Sequence, residues 1–271
     1  MNNLKEIILK IKTKKWKNLD ESVIKDKINL YLKKNPKIKI EYVDEKNPEF
    51  KKIVKFVKQE MHRSYGAFQS NTNKRDKLLE ELIKETNETK KSELKEEILK
   101  THSSTRERLS SYAKLKQKMS FLRGKTILDL GCGLNPLMFD NNKIIAVEFN
   151  KDDVDFLNKY FDIINKNRKE TERSKAIVLD LTKKENIVKL NKEKFDVVFA
   201  WKLFDLLNSD VIEAIVKLDY RIIAVSFSTK TLGNKQMNVP KRKWFETKLD
   251  ELNLKSEAYF FENELFYVIE H

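Results

Sequence analysis

The feature that most constrains the fold is a regular alternation of short apolar runs and helical stretches that begins after Gly124. Five runs rich in Val, Ile and Phe have the pattern of strands: TILDL (126–130), KIIAVEF (143–149), KAIVLD (175–180), FDVVFA (195–200) and RIIAVSF (221–227). Helical stretches lie between them, at 152–166, 185–190 and 209–218. Strands that alternate with helices build βαβ units, so the sequence predicts an α/β fold with a mostly parallel sheet. The final segment, 256–271, predicts two further strands joined by a turn around 262–264, and with them an antiparallel edge strand.

The region before residue 121 predicts helices instead. Apolar residues recur at helical spacing in four segments, around Leu4–Ile11, Ile53–Met61, Leu78–Ile83 and Leu94–Ile98. A stretch rich in Gly, Ser and Asn, 64–73, predicts a loop between the second and the third of them. We therefore divide the chain into a basic helical region, 1–120, and an α/β domain, 121–271.

Positive charge is concentrated in the first half of the chain. Residues 1–125 contain 33 Lys and Arg against 18 Asp and Glu, a net charge of +15, whereas residues 126–271 contain 23 against 24, a net charge of −1. Lys-rich helix faces are commonly just solvated, but a Lys-rich composition as such would spread the excess over the whole chain. The asymmetry favours binding of a polyanion such as RNA to the N-terminal region.

Composition argues against several other classes of protein. The single Cys132 leaves no internal disulfide and no cysteine metal cluster, and the three His residues are far apart in sequence, so we expect no metal site. No apolar run approaches the roughly 20 residues of a membrane span, and lysines interrupt the apolar N-terminal stretch, which argues against a cleavable signal. We expect a cytoplasmic monomer that makes no membrane contact.

The chemistry is predicted where the first strand ends, in the sequence Asp129-Leu130-Gly131-Cys132-Gly133-Leu134-Asn135-Pro136. A Gly-x-Gly turn lets a ligand approach the backbone closely at the carboxyl edge of a sheet. Pro136 stands where a dinucleotide fingerprint needs a third glycine, but S-adenosylmethionine (SAM) has no phosphate and removes that requirement. Glu148, at the end of the second strand, could accept both ribose hydroxyls, and Asp180, at the end of the third, could meet the adenine amino group. These acids favour a SAM-binding sheet; the alternative is that they are helix caps or turn residues.

A second motif, 101–109, precedes the first strand. Its Ser and Thr residues could cap a helix, with Glu107 at the capping-box position. A helix start beside the glycine turn would also offer backbone N–H groups and a guanidinium to a carboxylate, such as that of the methionine end of SAM. Both interpretations can hold together.

Several segments together resemble the aminoglycoside-resistance 16S rRNA methyltransferases. They are HSSTRERL (102–109), DLGCGLNPL (129–137), WKLF (201–204), and VSFSTKTLGNKQ (225–236) followed by KWFE (243–246). The resemblance covers about residues 60–271, with a fainter similarity in MHRSYGAF (61–68). It implies a Rossmann-like class I SAM-dependent methyltransferase fold with an N-terminal helical domain, and methylation of guanine N7 in the decoding site of 16S rRNA.

The resemblance also assigns site residues. It implies that Thr105 and Arg106 hold the methionine end of SAM, and that Lys202 and the loop Phe227–Leu232 face the target base. The rest of the cofactor pocket would be lined by Gly131, Glu148, Asp180, Leu181 and Trp201. From their place at strand ends, Trp201 and Phe227 are also the candidates for stacking on a base that has left its helix, although aromatic residues there more often belong to the core.

The predicted function is therefore SAM-dependent methylation of guanine N7 in the small ribosomal subunit. One alternative is the same fold acting on another position, such as an adenine N1 in the same rRNA helix or a tRNA. A second alternative, from a different class, is a non-catalytic RNA-binding or assembly factor that retained SAM as a structural ligand.

Overall fold

The computed structural model describes residues 2–12, 16, 21–62, 72–191, 193–230, 235–237 and 241–270, with backbone alone at 2, 72, 73 and 121. The chain divides into two compact units. The first contains residues 1–69 together with 150–152, and the second contains residues 70–149 and 153–271. The predicted loop 64–73 and the MHRSYGAF segment fall mostly outside the described residues, and the described part of that loop, Thr72 and Asn73, begins a helix.

The first unit is helical, as the spacing of its apolar residues predicts. It contains α1 (Asn2–Ile11), α2 (Glu21–Lys34), a 3₁₀ turn (Ile40–Tyr42) and α3 (Pro48–Met61). Its buried side chains include Ile7, Ile11, Ile24, Ile28, Ile53 and Val57. The start of α3 is fixed locally, because the side chain of Asn47 accepts the Glu49 N–H and Pro48 occupies the first helical position.

The second unit begins with further helices. They are α4 (Thr72–Lys84), α5 (Glu88–Lys100), α6 (Ser103–Arg108), a 3₁₀ turn (Leu109–Ser111), α7 (Tyr112–Lys118) and a second 3₁₀ turn (Ser120–Leu122). Leu78, Leu82, Ile98 and Leu115 belong to the same buried cluster as the sheet residues Val197 and Phe199. These helices therefore share a core with the sheet, whereas the sequence suggested a boundary at residue 120.

The sheet has seven strands in the order β3-β2-β1-β4-β5-β7-β6. The strands are β1 (Thr126–Leu130), β2 (Lys143–Glu148), β3 (Lys175–Val178), β4 (Phe195–Trp201), β5 (Tyr220–Ser228), β6 (Ser256–Phe260) and β7 (Glu264–Glu270). The first five pair in parallel, and β7 lies antiparallel to both β5 and β6. The predicted α/β fold with an antiparallel edge strand is confirmed. The last two strands form a hairpin in which β7 pairs with β5 and β6 lies at the edge of the sheet.

Helices cover the two faces of the sheet. On one face α4, α5 and α7 pack together with α8 (Lys151–Ile164). On the other lie α9 (Lys184–Leu190), α10 (Ser209–Val216) and α11 (Lys243–Glu251). The central strands are apolar on both faces for this reason, which explains why their sequences form continuous rather than alternating apolar runs. Within the described ranges, no helix combines the length and the apolar character that a membrane crossing needs.

Candidate active site

The strand order creates a crevice at the carboxyl edge of the sheet. From β1 the chain moves outward through β2 and β3, and it then returns to the other side of β1 to form β4. Loops that leave β1 and β4 therefore diverge, which is where open α/β sheets bind ligands. The residues predicted for the cofactor and for the target base follow these strand ends.

The glycine turn after β1 has a backbone that requires glycine. Gly131 and Gly133 adopt φ values of +63° and +51°, in the left-handed region. A Cβ on Gly133 would lie 2.7 Å from Cε1 of the buried His102, and a Cβ on Gly131 would lie 3.2 Å from a terminal methyl of Leu203. The turn thus leaves no room for a side chain at Gly133, whereas at Gly131 the end of the Leu203 side chain would have to move.

Glu148 and the glycine turn come together as predicted. Glu148 ends β2, and its Oε2 accepts the N–H of Gly133 at 3.0 Å, while its Oε1 accepts the N–H of Phe149 at 2.7 Å. The side chain is only half-buried. A carboxylate oxygen can accept more than one hydrogen bond, so these contacts orient the group and leave it capable of accepting hydroxyls.

Buried hydrogen bonds connect Asp129, the residue two positions before Gly131, to Asn135 and Tyr112. Asn135 donates to Oδ2 of Asp129 at 2.8 Å, and Tyr112 donates to Asn135 at 3.0 Å. Burial raises the pKa of Asp129 to about 7, despite the hydrogen bond from Asn135 and the positive charge of Arg108, which lower it.

Asp180 and Leu181 lie beyond the end of β3. Oδ1 of Asp180 accepts the N–H of Thr182 at 2.9 Å and its hydroxyl at 2.6 Å, and Oδ2 lies 3.7 Å from the Lys183 ammonium. The carboxylate therefore stabilises its own turn, in agreement with the alternative interpretation from the sequence. Leu181 is buried in the cluster beneath α9, α10 and α11.

The HSSTRERL motif forms α6, but not with the predicted caps. The helix begins at Ser103 behind His102, which caps no N–H group with its side chain. Thr105 is fully buried, and its Oγ1 lies 2.6 Å from the carbonyl oxygen of Leu99 and 3.0 Å from that of His102. Its hydroxyl is thus engaged with backbone acceptors. Arg106 lies exposed on α6, and Glu107 contacts Lys202 instead of forming a capping box.

A buried ion pair that the sequence analysis did not identify lies next to this helix. Nε and Nη2 of Arg108 donate to the two carboxylate oxygens of Glu264 at 2.8 and 2.7 Å, and Ser226 donates to Glu264 at 2.7 Å. The Arg108 guanidinium also lies 4.7 Å from the centre of the Trp201 ring. Burial alone would raise the pKa of Glu264, but Arg108 and Lys202 lower it below its usual value. The pair ties α6, β5 and β7 together at the carboxyl edge.

Lys202 follows β4 and is held between two carboxylates. Its Nζ lies 2.8 Å from Oε2 of Glu107 and 3.9 Å from Oε2 of Glu264, and its side chain is 10% exposed. Its backbone has φ +54° and donates to the carbonyl of Ser226 at 2.9 Å. The ammonium is therefore fixed at the carboxyl edge of the sheet, directly after β4.

Trp201 and Phe227 lie on opposite faces of the sheet. Trp201 pairs with Ser226, so Phe227, the next residue on β5, points to the other side. The Trp201 ring stacks on Phe199 at 4.4 Å, and its buried Nε1 has no hydrogen-bond partner among the described residues. Phe227 is 0% exposed and packs against Phe245 and Tyr267. A base cannot stack on a ring buried in this way, so the structure assigns Phe227 to the core; Thr231 and Leu232 of its loop lie outside the described residues.

The comparisons with known proteins identify the family. A family model described as ribosomal RNA methyltransferase (FmrO) matches residues 44–268. The chain belongs to this family. The match confirms the predicted class of enzyme, an rRNA methyltransferase, and an rRNA substrate. Among proteins with curated functions, none matches this FmrO-family chain in sequence.

Solved structures similar to the FmrO-family chain confirm the fold. The 16S rRNA methyltransferase RmtF, solved with S-adenosyl-L-homocysteine, aligns with a TM-score of 0.72 and 18% identity over 100% of this chain and 99% of its own. The 16S rRNA methylase RmtB gives 0.69 and 18% over 99% and 98%, and an rRNA methylase from Escherichia coli gives 0.65 and 18% over 99% of both chains. At this identity the likeness concerns the fold alone.

The described residues contain no group of three or more His, Cys, Asp or Glu placed to hold a metal.

Proposed function

We propose that this enzyme transfers a methyl group from SAM to guanine N7 in the decoding site of 16S rRNA within the small ribosomal subunit. The observation that carries the proposal is the contact of Glu148 with the Gly131–Gly133 turn at the switch point of the sheet. The family supplies the rRNA substrate, SAM is the cofactor of this enzyme class, and RmtF, which shares the fold, was solved with the product of SAM.

The residues present fit SAM. The two glycines let the chain turn sharply at the end of β1, and no cluster of cations for a phosphate is needed there. In the proposal Glu148 accepts the ribose hydroxyls, the peptide groups at Gly131 face the cofactor, and Arg106, exposed on α6, contacts its carboxylate. Asp180 and Trp201 keep their proposed places in the lining of the cofactor pocket, with Asp180 near the adenine. Thr105 and Leu181 are buried and would shape the pocket by supporting α6 and the turn after β3.

The proposed reaction requires no general acid or base from the protein. Bound SAM supplies an electrophilic methyl group on a sulfonium. Guanine N7 has an sp² lone pair and no proton, so the N–C bond forms as the C–S bond breaks and the positive charge passes to the purine, with no proton transferred. The chain has to place N7 in line, about 3 Å from the methyl carbon. Lys202, fixed between Glu107 and Glu264, is proposed to orient the base at that edge.

Docking on rRNA is proposed for the N-terminal residues 1–120. In the first unit, Lys51, Lys55 and Lys58 follow one another along α3 at helical spacing and line a groove of about 560 Å³ that also includes Lys10 and Phe50. A row of ammonium groups of this kind suits backbone phosphates rather than any base sequence. A cytoplasmic monomer acting on assembled small subunits is the form of the enzyme that we propose.

Mapping of the methyl group tests the reaction. Small subunits are incubated with enzyme and SAM labelled in the methyl group, and the rRNA is analysed by primer extension. N7-methylguanine stops the extension only after borohydride reduction and aniline cleavage, whereas N1-methyladenine stops it directly. A stop that needs no cleavage, label in tRNA, or absence of label would each replace the proposal by one of its alternatives.

Two sets of variants test the assigned surfaces. Glu148→Ala should abolish SAM binding measured by calorimetry, and Glu185→Ala, which changes an exposed acid on α9, serves as the control.

The triple change of Lys51, Lys55 and Lys58 to Gln should lower the slope of log affinity for small subunits against log salt concentration by about 2 to 3, because each lost phosphate contact removes roughly 0.7 to 0.9. An unchanged slope would move the docking surface elsewhere.

A further inference from the structure

An exposed tryptophan stands in a basic segment of the methyltransferase unit. Trp244 is 45% exposed, although tryptophan is a costly side chain to leave in water. Its ring is held edge-on by Phe227 at 5.9 Å and by Phe245 at 5.7 Å, both fully buried. The indole is therefore rigidly supported by the core on one side and open to solvent on the other.

The segment that carries this ring contains more cations than acids. The segment 241–248, KRKWFETK, contains four Lys or Arg and one Glu. The neighbouring acids are already engaged: Asp205 with Arg242 at 2.9 Å, Glu246 with Lys241 at 3.9 Å and Glu251 with Lys248 at 3.3 Å. For Lys243 the described residues include no ion-pair partner. Lys243 is therefore the cation of this segment that can bind an anion without breaking one of these ion pairs.

The ring lies near the edge where the reaction is proposed. Arg242, at the start of α11, donates to the carbonyl of Ser228 at the end of β5 and pairs with Asp205, three residues beyond Lys202. Trp244 lines a groove of about 490 Å³ at this edge. The other lining residues are the apolar Phe204, Leu207 and Ile212, the polar Ser209, and the paired Asp205, Lys248 and Glu251. We expect an rRNA strand whose target base reaches the end of β4 to carry its neighbouring nucleotides over this surface.

We propose that Trp244 stacks on an unpaired rRNA nucleotide that flanks the target base, while Lys243 contacts an adjacent phosphate. The inference rests on the proposed function, because it needs rRNA at the carboxyl edge. Unpaired bases stack on aromatic rings irrespective of their sequence, and cations along the strand hold the phosphates. Trp244 takes the stacking role that the sequence assigned to Phe227, and it acts on a flanking base rather than on the methylated one.

The two residues should leave different signatures in binding to small subunits measured by co-sedimentation at several salt concentrations. Trp244→Ala should weaken binding about tenfold without changing its salt slope, because stacking releases no counterions. Lys243→Gln should lower the slope by about 0.7 to 0.9. Trp244→Phe keeps an aromatic face and should restore most of the affinity. SAM affinity and the unfolding midpoint should be the same in all three variants.

Phe260→Ala is the matched control, since Phe260 is an aromatic residue of the same unit, 56% exposed, on the edge strand β6. If Trp244→Ala binds as tightly as Phe260→Ala, the inference fails while the proposed function stands. If the wild-type enzyme does not bind subunits, the proposed function itself fails. If Trp244→Ala lowers the unfolding midpoint, the Trp244→Phe variant provides the test. Stacking is rejected if Trp244→Phe binds small subunits no more tightly than Trp244→Ala does.

Discussion

Gly133→Ala is the substitution whose cost can be worked out most directly from the structure. The new methyl group would lie 2.7 Å from Cε1 and 3.0 Å from Nε2 of His102, at a backbone φ of +51°. His102 is buried and cannot swing into solvent. The turn must therefore shift, and with it the N–H that Glu148 accepts.

Substitutions at two other glycines separate the cost of backbone strain from the cost of steric overlap. Gly124 has φ +74° and nothing within 4 Å of its would-be Cβ, so Gly124→Ala measures the left-handed strain alone, about 1 kcal/mol. At Gly131 the Cβ meets the end of the flexible Leu203 side chain at 3.2 Å, which adds little. At Gly133 overpacking against a buried ring adds roughly 1–3 kcal/mol, for a total of about 3 kcal/mol.

Urea unfolding of the three variants measures these free energies, and calorimetry measures SAM binding. We expect Gly133→Ala to lose about 2 kcal/mol more than Gly124→Ala, and to bind SAM at least roughly tenfold more weakly because its peptide N–H has moved away from Glu148. Adding His102→Ala to Gly133→Ala should recover part of the stability. Equal losses at Gly124 and Gly133, or no recovery in the double variant, would refute the close approach of His102 to the turn.

Further predictions concern charge and pH. Glu264→Gln leaves Arg108 buried without a counterion and should cost about 3–5 kcal/mol of unfolding free energy, most of it recovered when Arg108→Met is added; a loss under 1 kcal/mol would contradict the buried pair. Burial lowers the pKa of His102 to about 4 from 6.5, so its contribution is present above pH 6.5 and is lost as pH falls towards 4, by ~3 kcal/mol. Asp129, whose pKa is about 7, has the opposite pH dependence: its stabilisation is present at low pH and is lost as pH rises from about 4 to 7. Comparing the wild-type protein with His102→Gln separates the effect of His102 from that of Asp129. Parallel curves of stability against pH for these two proteins would exclude this role of His102. Lys202→Ala should lower turnover more than SAM affinity, and Arg106→Ala should do the reverse; the opposite pattern would exchange their roles. Single-turnover methyl transfer should vary little between about pH 6.5 and 8.5, whereas a tenfold rise per pH unit in a folded enzyme would indicate deprotonation and reject N7 as the acceptor.

The parts of the site that the sequence predicted are those with local causes. A glycine turn is required wherever the backbone turns sharply into the left-handed region, and Glu148 is the last residue of an apolar run, so the parallel sheet brings the two together. The hydrogen bonds of Asp180 with Thr182, two residues away, are equally local, so the sequence also indicates the turn-residue alternative.

The parts that the sequence missed depend on contacts between distant residues. Arg108 and Glu264 are 156 residues apart, and nothing around either residue indicates its partner. Phe227 was misassigned because its side of the sheet depends on the register between β4 and β5, where a shift of one residue reverses every side chain. Helix α2 was not predicted, although Val23, Ile24 and Ile28 are buried at helical spacing and could have signalled it.

The backbone at Lys202 links the buried ion pair to the carboxyl edge of the sheet. A lysine at φ +54° is strained relative to ordinary backbone, by about 1 kcal/mol or more, and such strain persists only where the surroundings determine it. Here they do so twice: Ser226 accepts the backbone N–H, and Glu107 and Glu264 hold the ammonium. Glu264 is itself fixed by Arg108, whose guanidinium rests on Trp201, the residue before Lys202. The contacts thus form a closed loop from α6 through β7 to the end of β4. We infer that the strain is retained because a relaxed backbone at Lys202 would move the ammonium away from the position where the target base is proposed to enter.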